Sequence, residues 1–369
     1  MRFSFLVGLL AGLSQAVNLY DTWEVDKHCR GKGATLEKAY IDSALMADKA
    51  LLDLQKIQRP RPRTTRSNIP EIREWDRVAR AVTNMFGFVP NQAGHSPIND
   101  PLADVLYVFN RMNESLNGPH NLPVNGYAGV YYKPLIMCGP DQWRWIAKDD
   151  KDPNDPAHTL LESKGDLLKG GSGAWVYGTR YISNGDPTHV GPCRSPATYA
   201  VTMTRWDLLT FCDLSFSAVA LADIKSLVDH KKNFKVGDKL GSFAQNSLQR
   251  VMVHEFAHYY GADGFGTPDD RKVDDMQAVS KDGDLVWIGA DGKFTTQQPG
   301  EDEDLASTAS YGHVRITRLA RSHTGDNADN SGPDKATFNA ESFAYFAIMA
   351  YLDNFDWTDG GKAKEIATS

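Results

Sequence analysis

One short segment concentrates the groups that could do chemistry: Val253-His254-Glu255-Phe256-Ala257-His258-Tyr259-Tyr260. On a helix, positions i and i+4 share a face, so the imidazoles of His254 and His258 can reach one metal ion. Glu255 lies beside the first of them, where a carboxylate can act as general base toward an activated water. The chain has 10 His and 11 Glu in 369 residues. At those frequencies His-Glu-x-x-His is expected by chance roughly 0.008 times, so an ordinary helix with two surface histidines is the minor reading. Leu248, Val251, Met252, Phe256 and Ala257 supply the apolar side by which such a helix is buried.

A zinc site of this kind takes three protein ligands and leaves the fourth position to water. His-Glu-x-x-His-x-x-Gly is completed by Gly261, but Gly264 stands where a third histidine would follow. Asp263 is one residue out of step and reads as a surface carboxylate. Further along comes Gly266-Thr267-Pro268-Asp269. Together with His254-Glu-Phe-Ala-His258, this resembles the deuterolysin (aspzincin) metalloendopeptidases, a family of fungal neutral proteases and lysine-specific metalloendopeptidases. The resemblance extends to Phe211-Cys212 and to Asn339-Ala-Glu-Ser-Phe-Ala-Tyr-Phe-Ala347, which is similar to the family's Asn-Ala-Asp-Ser-Tyr-Ala segment. It implies a zincin-like metallopeptidase domain, one catalytic zinc ion held by His254, His258 and Asp269, and protein or peptide substrates.

The chain also departs from that pattern. The family continues with Tyr-Gly shortly after the aspartate, whereas Asp270-Arg271-Lys272-Val273 stands here, and Tyr311-Gly312 follows much later. An insertion would reconcile the two and give Tyr311 the role of a catalytic hydroxyl that steadies the oxyanion. If the insertion starts earlier, the third ligand is Asp274, Asp275, Asp302 or Asp304. Glu341 replaces the family's aspartate; it would bind a substrate lysine or complete the zinc site. Asp269 ranks first as the third ligand on spacing and Glu341 second.

These groups need a scaffold, and the pattern describes one. Apolar residues fall on one helical face at Leu36, Tyr40, Ala44, Ala47, Leu51 and Leu54. They do so again at Ile72, Trp75, Ala79, Val82 and Phe86, and at Leu102, Val105, Leu106, Phe109 and Met112. Pro70 and Gly87 bracket the second of these helices. Aromatic and β-branched runs at 127–132, 174–182, 199–204 and 208–212 read as strands. Residues 149–171 read as a polar surface loop, 217–229 and 243–260 as helices, and 261–335 as an aperiodic Asp- and Gly-rich stretch. The expected fold is α+β and helix-rich with a small sheet. A single metallopeptidase-like domain spans 17–369: N-terminal helices 35–113, strand block 127–212, zinc helix and insertion 243–335, and a C-terminal helix 339–352.

Met1-Arg2, the apolar run Phe3–Leu13 and Ser14-Gln-Ala16 read as a signal peptide over 1–16. No later run reaches the about 18 apolar residues of a membrane span. A secreted, extracellular protein is expected, with Cys29, Cys138, Cys193 and Cys212 paired in one of three connectivities. Asn113-Glu-Ser115 is a glycosylation acceptor. The net charge of −7 disfavours nucleic acid, and neither a membrane partner nor an oligomer is expected. His313, Asp302-Glu303-Asp304 and Arg59–Arg66 read as solvated loop residues, Met276 as no Met-turn, and Tyr259-Tyr260 as core or cleft wall. The function expected is zinc-dependent peptide-bond hydrolysis with Glu255 as base. The alternatives are a catalytically inactive binding protein on the same fold, and a zinc hydrolase acting on another bond.

Overall fold

A computed structural model describes residues 18–90, 101–118, 133–183, 187–188, 191–193, 195–217, 231–262, 272–300 and 305–366. The expected signal peptide, the strand at 127–132, nearly all of the helix at 217–229, and Asp263, Asp269, Asp302 and Asp304 lie outside the described residues.

After a short helix α1 (Leu19–Thr22) and a strand β1 (Glu24–Val25), three long helices follow. They are α2 (Gly33–Ile57), α3 (Ile69–Phe86) and α4 (Pro101–Asn117). Each buries the stripe that its periodicity marks: Leu36, Tyr40, Ala44, Ala47 and Leu54 on α2 are fully enclosed, as are Val82 and Phe86 on α3 and Phe109 and Met112 on α4. Pro70 opens α3, and Gly87 closes it with φ of 79°. A side chain at Gly87 would also collide with the Ala320 carbonyl, so glycine is required there twice over.

The middle of the chain holds β2 (Leu135–Cys138), β3 (Arg144–Ala147), β4 (Lys151–Asp152), β5 (Asp155–Thr159), α5 (Leu160–Leu168), β6 (Gly173–Tyr177), β7 (Arg180–Ile182), β8 (Ala200–Met203) and β9 (Leu208–Phe211). The expected loop at 149–171 is therefore structured. A β4–β5 pair runs into α5, which starts at a Thr159/Glu162 capping box and buries Leu160 and Leu168. The sheet that matters has the order β1-β2-β9-β8; β1, β2 and β9 are parallel and β8 is antiparallel to β9 at the edge.

The expected helix at 243–260 is divided into α6 (Leu240–Ala244) and α7 (Leu248–Tyr260). Ser247 breaks it by taking extended backbone and accepting the Arg250 amide on its hydroxyl. The stretch after α7 is not aperiodic either. It contains the small sheet β10 (Trp287–Gly289), β11 (Phe294–Thr295) and β12 (Leu305–Ser307), then α8 (His313–Ala320) and α9 (Pro333–Ala336). α10 (Ala340–Tyr351) closes the core.

α7 is the centre of the molecule. It packs against α2, α4, α10 and β8, and twelve of its thirteen residues are buried. Trp23 stacks on Phe256 and leans on Tyr259, while Phe343 and Phe346 of α10 meet Phe86 and Phe109. Disulfides join Cys29 to Cys138 and Cys193 to Cys212. The result is an α+β fold in which one helix is held rigid on nearly every side. Among the described residues no helix is long and apolar enough to cross a membrane.

Candidate metal centre

His254 and His258 project from α7 as the i, i+4 spacing requires, with their Nε2 atoms 3.1 Å apart. Each Nδ1 faces an oxygen that can only accept: Glu341 Oε2 at 3.0 Å from His254, and the Val273 carbonyl at 2.8 Å from His258. Both Nδ1 atoms therefore donate, and the two Nε2 atoms are turned toward each other, placed to ligate a metal ion that displaces any proton held there. Asp275 Oδ1 completes the triangle, 3.2 Å from His254 Nε2 and 3.5 Å from His258 Nε2. Donor atoms held at 2.0–2.1 Å around a tetrahedral zinc ion stand about 3.3 Å from one another. The three atoms have the size and chemistry of one face of such a tetrahedron, so this donor set fits a metal ion.

Local structure explains why Asp275 arrives here. Gly261 ends α7, and a Cβ on it would overlap Val273 and the Ala257 carbonyl. Glycine thus lets the chain return across the helix end, where Ala262 bridges Lys272 and the Val273 carbonyl reaches His258. The returning segment is gripped on both sides. The Asp274 amide donates to Phe338 and its carbonyl accepts from Ala340, while the Ser310 amide donates to the Met276 carbonyl. One edge of the segment thus lies on the start of α10, which carries Glu341. The other lies on the chain leading to Tyr311, whose hydroxyl donates to Asp275 Oδ2 at 2.7 Å. Gly312, at φ of 84°, turns the chain and donates its amide to Glu341 Oε1 at 3.1 Å.

The electrostatics favour a cation. Burial opposes charge on His254, but Asp275 and then Glu341 outweigh it and push its pKa up to about 10. His258 is raised too, burial being overcome mainly by Asp275. Asp275 is held well below the usual carboxylate range by His254 and His258 despite burial. Glu341, nearly inaccessible, is drawn down to about 2, because Arg250 and His254 outweigh burial. Burial and the neighbouring Asp275 raise the Tyr311 phenol.

Glu255 stands at the shared wall of two cavities, of about 360 Å³ and about 310 Å³, that meet at the site. Its Oε2 accepts from Thr202 Oγ1 of the edge strand β8 at 2.6 Å. Tyr311 also lines both cavities and is half exposed.

The structure thus brings His254, Glu255, His258, Asp275, Tyr311 and Glu341 together. Glu341 sits on the Nδ1 side of His254, so it orients the imidazole rather than joining the Nε2 triangle. Asp274 lines one cavity, but its carboxylate accepts the Asp275 amide instead. His313 is not a solvated loop residue: it begins α8, is buried, and its pKa is lowered by that burial. Met276 is half-buried against Leu319 and Ala320. Thr202, the Val273 carbonyl and Arg250 were missed from sequence. Arg250 was findable, since Arg250, His254 and His258 repeat at i, i+4 and i+8 on the buried face. The chain matches no protein-family model, no curated protein and no solved structure.

Proposed function

We propose that the protein is a secreted zinc metalloendopeptidase with a zincin-like catalytic domain, in which His254, His258 and Asp275 hold the zinc ion. The observation that carries this reading is the Nε2, Nε2, Oδ1 triangle, oriented from behind by Glu341 and Val273, with Glu255 beside it on an open cleft. A zinc ion in such a donor set supplies a Lewis acid that polarises a carbonyl and acidifies water. Glu255, held by Thr202, takes the proton from the attacking water and returns it to the leaving amine. Tyr311 steadies the oxyanion when its hydroxyl turns from Asp275 to the substrate. The outer edge of β8 completes the cleft. Ala200 and Thr202 line it, β8 pairs with β9 on its inner side alone among the described strands, and an extended peptide can add there as a further strand. Export is supported by the signal-like start of the chain and by two disulfides.

Metal analysis and digestion of a generic unfolded protein, comparing wild type with Glu255→Gln, test the reading. Zinc at one ion per chain in both proteins, with cleavage by wild type alone, is expected. Zinc with no cleavage by either protein would instead support a binding protein on this fold, a reading favoured by the engagement of Tyr311 with Asp275. No zinc in either would remove the site.

A further inference from the structure

The smaller cavity, on the Arg250 side of Glu255, has an uneven supply of donors and acceptors. Glu341 at its floor has both oxygens committed: Oε1 accepts from the Gly312 amide, and Oε2 accepts from Arg250 Nη1 at 2.8 Å and faces His254 Nδ1. Asn246 Oδ1 accepts from the Tyr199 hydroxyl at 2.9 Å. Arg250 is the opposite case. A guanidinium carries five N–H donors, yet its one hydrogen bond among the described residues is Nη1 to Glu341, and Nε has no partner. The Tyr199 ring lies over the guanidinium, with 5.8 Å between them, and the cavity opens beside it toward His254 and Glu255. A ligand entering here meets unused donors on a fixed cation, a Glu341 whose charge that cation already matches, and Glu255 on the side toward the metal centre, its Oε2 held by Thr202.

We propose that this cavity is a carboxylate-accepting subsite and that Arg250 determines specificity in it. The carboxylate is either an Asp or Glu side chain next to the scissile bond or the C-terminal carboxylate of the substrate. This rests on the peptidase reading. It runs against the lysine preference that an acidic residue at position 341 would otherwise imply. A lysine ammonium at Glu341 would have to share a carboxylate whose charge Arg250 already matches, and Arg250 repels it. An arginine is suited to the task because its planar fork pairs with a carboxylate through two parallel bonds.

The test uses the full-length, zinc-loaded protein and peptides varied on each side of the cleaved bond, with products read by mass spectrometry. At one position Asp or Glu is expected to raise kcat/KM about tenfold over Gln, and Arg250→Gln should abolish the ratio. Arg250→Lys keeps a cation against Glu341, protecting the fold, and should lower the ratio because the fork is gone. If the C-terminus is the ligand, peptides with a free acid are cleaved near their end and the corresponding amides are not. Cleavage with no acidic preference, with a lysine preference, or with a preference unchanged in Arg250→Gln overturns the proposal.

Absence of any cleavage overturns the peptidase reading instead, and the subsite is then read by direct titration. N-acetylglutamate α-amide should bind wild type about tenfold more tightly than N-acetylglutamine amide, and lose that advantage in Arg250→Gln. Equal affinities, or an advantage that survives in Arg250→Gln because the carboxylate sits on the metal, would sink it.

Discussion

Replacing Asp275 by Asn tests the centre most directly. The change is isosteric, and the backbone at 274–276 is held by the Phe338, Ala340 and Ser310 contacts, so the segment should stay in place. What disappears is the one charged member of the Nε2, Nε2, Oδ1 triangle. Loss of a partner outside the ligand set already lowers metal affinity by about 10- to 100-fold. Loss of a charged ligand should therefore cost at least about 100-fold, or about 2.7 kcal/mol. The same figure can be read from stability. At free zinc about 1,000 times the wild-type Kd, the metal stabilises wild type by about 4.1 kcal/mol. A variant binding about 100-fold more weakly would gain only about 1.4 kcal/mol from the same zinc. The missing 2.7 kcal/mol lowers Tm by about 3.5 °C in a chain of this size. Chelator competition gives the affinity and a melt at fixed free zinc gives the shift, with Asp269→Asn run alongside. Asp275→Asn at wild-type affinity, or Asp269→Asn showing the loss in its place, would refute the assignment drawn from the triangle.

Further outcomes follow from the same geometry. Gly261→Ala should weaken zinc binding by about 10- to 100-fold, because the new methyl displaces Val273 and frees the Nδ1 side of His258; chelator competition reads this. His313, buried with neither ring nitrogen partnered among the described residues, has a lowered pKa. Its protonation is disfavoured in the folded state, so stability is complete above the unfolded value near about 6.5 and falls as pH drops below it. His313→Phe should flatten the acid limb of urea midpoints measured from pH 7 to 5. Replacing Cys193 and Cys212 together by Ala opens a separation of 19 residues and should cost about 3 kcal/mol in urea unfolding. The same change at Cys29 and Cys138, 109 residues apart, should cost about 5 kcal/mol.

The fold was legible where a pattern is local and repeated. α2, α3 and α4 each carry several turns of one apolar stripe, and Pro70 and Gly87 mark the ends of α3 by their own backbone chemistry. Legibility failed where a few residues were outweighed by composition. The charged and glycine-rich run at 149–171 hides two short strands and α5, whose anchors are just Leu160, Leu168 and a capping box. Ser247 was hidden in the opposite way. The apolar periodicity of α6 continues into α7, while a side-chain cap that restarts the helix looks like an ordinary polar residue in a stripe.

The site divides along the same line. His254, Glu255 and His258 are neighbours on one helix, so their juxtaposition depends on helical geometry alone. The third carboxylate depends on how the chain comes back, and spacing after His258 carries little information about that. The return is specified by a glycine with no room for a side chain, by a backbone pairing of Asp274 with Asn339, and by a contact between Met276 and Ser310. None of these appears as a motif, because two of the three are made by main-chain atoms that every residue possesses. They also explain why Tyr311 and Glu341, far apart in sequence, reach the same histidine. Both flank the segment that delivers Asp275, so one short strand-like passage positions the carboxylate, the phenol and the group behind His254 together. A change that loosens that passage should disturb all three at once, whereas a change on α7 need not.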